Sequence, residues 1–135
     1  NDSSHLLADA RHALLLSRGW QAVAPQIDEA DALLSARQAL ELATRGGAAV
    51  LGRDDIGSLE VGKCADFAAI RLDRLDYAGA LHDPVAATVL CTPVRVDHVY
   101  VHGRAVVSHG ELVTLELDRV IAAHNRAAAR LVRGD

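Results

Sequence analysis

The sequence contains no methionine and therefore no initiator residue; it starts at Asn1. A native start here would require a processed methionine, so the simpler expectation is the tail of a longer protein. Aromatic residues are scarce too, with one Trp, two Tyr and one Phe in 135 residues. Much of the apolar content is alanine, so each buried position contributes modest area. Lysine occurs only at Lys63, and 14 basic against 18 acidic residues give a formal net charge of −4. That balance argues against nucleic acid as a partner, because phosphate binding needs a basic face. Cys64 and Cys91 form no C-x-x-C pattern and read as reduced, small core residues of an intracellular protein. No apolar run approaches the ~20 residues of a membrane helix. The first five residues lack the basic and apolar regions of a signal peptide. A soluble, cytoplasmic protein with no membrane partner is the expectation.

Half of the residues are hydrophobic, enough for a packed core in a chain of one-domain length. Helical spacing of Leu6, Leu7, Ala10, Leu14 and Leu15 predicts a helix over residues 4–18, capped by Ser3 or Ser4 and ended by Gly19. The segment from Trp20 to Leu34, with Pro25 and the acidic Asp28, Glu29 and Asp31, reads as a loop with at most a short helical turn. Ser35-Ala-Arg-Gln38 fits a capping box and opens a second helix, which Gly46-Gly47 is expected to interrupt before a short helix at 48–51. From residue 56 the period changes. Ala65 to Leu72 reads as a strand entered through a turn at Val61-Gly62-Lys63. Asp83-Pro84 signals a turn, and Val85 to Leu90 fits either helix or strand. Val94 to Val101, Arg104 to Ser108 and Glu111 to Val113 form a meander joined by His102-Gly103 and His109-Gly110, since two-residue turns with Gly second suit hairpins. Asp118 to Val132 carries Val120, Ile121, His124, Ala128 and Leu131 on one stripe of a closing helix. So few strands leave open sheet edges, which need covering from elsewhere.

Five blocks carry a resemblance. They are Asn1-Asp-Ser-Ser-His-Leu-Leu7, Ala39 to Gly52, Ile56-Gly-Ser-Leu-Glu-Val-Gly-Lys-Cys-Ala-Asp-Phe67, His82-Asp-Pro-Val-Ala-Ala87 and Val96 to Val107. In this order they resemble the carboxy-terminal part of amidohydrolase-superfamily deaminases, and within them 8-oxoguanine deaminases and the hydroxytriazine and pterin aminohydrolases. The resemblance implies a mixed α and β fold. Residues 1–52 would be the last helical part of a TIM (β/α)8 barrel, 53–115 part of a small β-sandwich, and 116–135 a closing helix. It also implies hydrolytic deamination of a purine-like or related N-heterocycle. One divalent metal, zinc or iron, activates a water for that reaction.

The family's metal ligands match nothing in the chain: there is no H-x-H, and the metal Asp would fall upstream of Asn1, a role Asp2 does not take. No metal is therefore expected in this chain alone, no catalytic residue is assigned, and the chain alone is expected to be inactive. Asn1 and Ser3, at the barrel's mouth, are the residues the resemblance brings near substrate, with helix capping as their ordinary role. The implied partners are the amino-terminal part of the same enzyme and a small heterocycle, with a homo-oligomer left open. A non-catalytic interaction module and a complementing subunit of a split enzyme are the alternatives.

Three other groups invite a functional reading. His5, Asp9 and His12 fall at i, i+4 and i+7, a spacing that suits metal ligands on one helix face but is also the ordinary interval of polar residues on a surface helix, and the neighbouring Arg11 adds nothing for a metal. His98, Tyr100 and His102 alternate onto one face of a strand, which is also the pattern of an ordinary half-solvated sheet. Lys63 follows Gly62 and reads as part of a structural turn. No G-x-S-x-G elbow supports a hydrolase triad.

Overall fold

The computed structural model describes residues 5–23, 33–91 and 95–134. The chain is a mixed α/β protein that divides into two compact units. The first comprises residues 1–64 and 71–95, and the second residues 65–70 and 96–135.

In the first unit α1 spans Leu6–Val23. It is longer than its apolar stripe predicts, because Gly19 sits inside it: a single glycine costs a helix only about 1 kcal/mol, and Trp20 to Val23 continue the turn. The capping serines lie outside the described residues; at residue 5 the imidazole Nδ1 of His5 accepts the Ala8 amide at 3.3 Å. Pro25 and the acidic run also lie outside them.

Helix α2 (Ala36–Glu41) starts as expected, with a capping box. The Ser35 hydroxyl accepts the Gln38 amide at 3.2 Å, and the Gln38 side chain accepts the Ser35 amide at 2.9 Å. Gly46-Gly47 does not interrupt the helical path. The chain passes through a π-helical turn at Leu42–Gly46 into α3 (Gly47–Val50), both glycines keeping right-handed helical angles. It stops at Gly52, whose φ is +65°. There the Arg53 amide reaches the Ala48 carbonyl and the Gly52 amide the Ala49 carbonyl, each at 3.0 Å, the paired bonds of a Schellman stop.

A 3₁₀ turn at Leu75–Tyr77 precedes α4 (Pro84–Leu90). Asp83-Pro84 is thus a helix start: the Asp83 carboxylate accepts the Ala86 amide at 3.0 Å, and Pro84 takes the first turn, where its missing N–H costs nothing. The core of this unit is built of small residues, with Ala10, Leu14, Ala39 and Val89 buried together and Leu34, Leu40 and Leu90 packed against them.

The second unit holds an antiparallel sheet in the order β1-β2-β3-β4. Strand β1 is Phe67–Ala69, β2 His98–Val101, β3 Arg104–Ser108 and β4 Glu111–Leu112. The strand predicted over 65–72 contracts to three residues but adds a fourth strand to the meander, pairing Phe67 with Tyr100. Their rings stack with centroids 4.7 Å apart. Both His-Gly turns form, with φ of 51° at His102 and 52° at His109. A bulge between Val99 and Tyr100 breaks the register of β2 on β3. Helix α5, Leu117–Arg133, follows, and every one of its residues is exposed. Among the described residues of this unit only Asp97 is buried.

Candidate functional site

The motif from Ile56 to Phe67 and the residues just before it share several polar contacts within a folded loop. In the first unit Arg53 grips Asp55 through two bonds, Nε to Oδ1 at 2.8 Å and Nη2 to Oδ2 at 2.7 Å. The Cys64 thiol adds a third contact to Asp55 Oδ2 at 3.2 Å, and the Cys64 amide donates to the Asp55 carbonyl at 2.8 Å. Hydrogen bonds from Arg53 and then Cys64 hold the Asp55 carboxyl far below the usual carboxylate range. Cys64 therefore holds the loop; it is half-buried like Cys91, neither is the core residue expected, and neither stands in a disulfide. One residue before Cys64, the Lys63 ammonium donates to the Ser58 hydroxyl at 2.7 Å and stands 3.7 Å from Glu60, which also faces Arg45 at 3.7 Å. The Ser58 hydroxyl, and then the Lys63 charge, lower the Glu60 pKa. Lys63 is a structural lysine in a turn, as its sequence context suggests.

Gly57 explains why this loop needs glycine. Its φ is +84°, and a Cβ there would stand 2.9 Å from the Ala48 Cβ and 3.1 Å from the Arg45 Cα, so the loop backbone lies directly on the π-helical turn and α3. In the second unit Asp66, the acid of the same motif, accepts the His102 amide at 2.5 Å and so ties β1 to the first hairpin turn. Sequence reading missed both Asp55 and Asp66. Asp55 has a local signal in its spacing from Arg53; Asp66 pairs across 36 positions and has none.

The sequence-predicted sites fare differently. Asn1 and Ser3 lie outside the described residues. His5, Asp9 and His12 do not converge: among the described residues no three His, Cys, Asp or Glu side chains are grouped to hold a metal ion. The rings of His98 and Tyr100 pair with different partners. Tyr100 packs on Phe67, while His98 meets the His109 ring edge-on at 4.9 Å. His109 in turn shares a 3.0 Å hydrogen bond with Ser108. A surface recess along α2, lined by Leu34, Gln38, Glu41, Leu42, Arg45 and Gly46, offers one acid, one base and no nucleophile. Among the described residues no cluster thus fits a divalent metal. None of the described helices is long and apolar enough to cross a membrane.

Residues 1–106 match the family model of the amidohydrolase family. The chain belongs to this family. Among curated amidohydrolase relatives, 8-oxoguanine deaminase from Pseudomonas aeruginosa is 41% identical over 99% of this chain. This chain spans 28% of that relative's length. The structure is similar to atrazine chlorohydrolase from Arthrobacter aurescens TC1, complexed with zinc, with a TM-score of 0.78 and 37% identity over 89% of this chain and 25% of that one. It is also similar to an adenosine deaminase from Xanthomonas campestris with bound zinc, at a TM-score of 0.80 and 29% identity over 94% of this chain and 28% of that one. The family is thus one whose relatives include deaminases and a triazine hydrolase, and its solved members include zinc-bound enzymes.

Proposed function

We propose that this chain is the carboxy-terminal part of a metal-dependent hydrolytic deaminase acting on a purine-like N-heterocycle such as 8-oxoguanine. The observation that carries the reading is the end-to-end match to 8-oxoguanine deaminase, 41% identical over 99% of the chain. In this reading residues 1–52 end a barrel domain, 53–115 supply part of a β-sandwich, and 116–135 close the molecule. The metal ligands come from upstream, as does the barrel that shapes the pocket. Asn1 and Ser3 border the substrate at the barrel's mouth, where active sites of that fold collect. A divalent metal held by those upstream residues would supply an activated water for hydrolysis. The described residues supply none of its ligands; their part is to hold the loop and hairpin in shape through Asp55 and Asp66.

The test has two steps. The purified 135-residue chain, equilibrated with zinc and dialysed, should retain far less than one metal per chain and leave 8-oxoguanine unchanged in an ultraviolet assay. Added to the amino-terminal portion of the Pseudomonas aeruginosa relative, it should restore turnover. Stoichiometric zinc in the chain alone, or no turnover by the reconstituted pair, would overturn the reading.

A further inference from the structure

We draw no further inference here: the strongest candidate, the exposed apolar face of α5 running from Leu117 to Leu131, carries nothing because nothing in the structure shows what covers it.

Discussion

His102 and His109 occupy the left-handed region, with φ of 51° and 52°, each followed by a glycine whose φ is also positive. Such paired angles match the twist of hairpin strands, but a β-carbon resists them, and asparagine tolerates them best among residues other than glycine. His109 gains something in return from His98 and Ser108, whereas the His102 amide needs only its bond to Asp66. His102→Asn should therefore raise stability by about 0.5–1 kcal/mol, read as a higher urea midpoint with an unchanged slope. Asp55 makes the complementary case. Its folded pKa is depressed by Arg53 and Cys64, so its contribution is fully present above the unfolded value of about 3.9 and is lost only as pH falls through the lower folded value. In a carbon-detected titration the Asp55 carboxylate should still be ionised near pH 3, roughly a unit below the ordinary value. In Asp55→Asn the wild-type advantage should vanish on acidification in the same window.

At the level of elements, the short-range signals were legible and the long-range ones were not. The Ser35 capping box, the two His-Gly turns and the closing helix are all written within a few residues, and all appear where local chemistry puts them. Gly46-Gly47 misleads because glycine's helix penalty is small beside packing: the backbone of Gly57 presses on the π-helical turn and α3, and that contact is invisible to any window. The same distance hides the Asp66–His102 bond and the trimming of β1 to three residues, since both depend on where β2 lies. Metal-like spacing at His5, Asp9 and His12 decides nothing by itself, for spacing sets a shared face but not convergence. Gly57 is the sharpest test of the packing account. Gly57→Ala adds a methyl 2.9 Å from the Ala48 Cβ at a φ of +84°. It should cost about 2 kcal/mol or more in chemical denaturation, combining left-handed strain with overpacking. A cost near zero would mean that the loop does not rest on the helix.

For the molecule as a whole, the two units differ in what holds them. The first buries Ala10, Leu14, Ala39, Ala48, Tyr77, Ala87 and Val89; the second buries Asp97 alone among its described residues. A four-stranded sheet so thinly covered depends on its ladder and turns, and its apolar surface suits a covered setting such as a longer enzyme or a second copy. The first unit depends instead on a small cluster in which Leu14 is the fully buried leucine, with Leu34, Leu40 and Leu90 packed at its edge. Leu14 is fully buried against Ala10, Ala39 and Val89, and these neighbours have too little side chain to collapse into a vacated space. Leu14→Ala should then cost about 3–4 kcal/mol, near the upper part of the usual leucine range, because both the transfer and cavity terms survive. The effect should be local. Hydrogen exchange should show lost protection at the amides of α1, α2 and α4, with the β2–β3 ladder from His98 to Ser108 unchanged. Uniform loss across both units would mean that the sheet draws its stability from the helical core, and that the two compact units unfold as one.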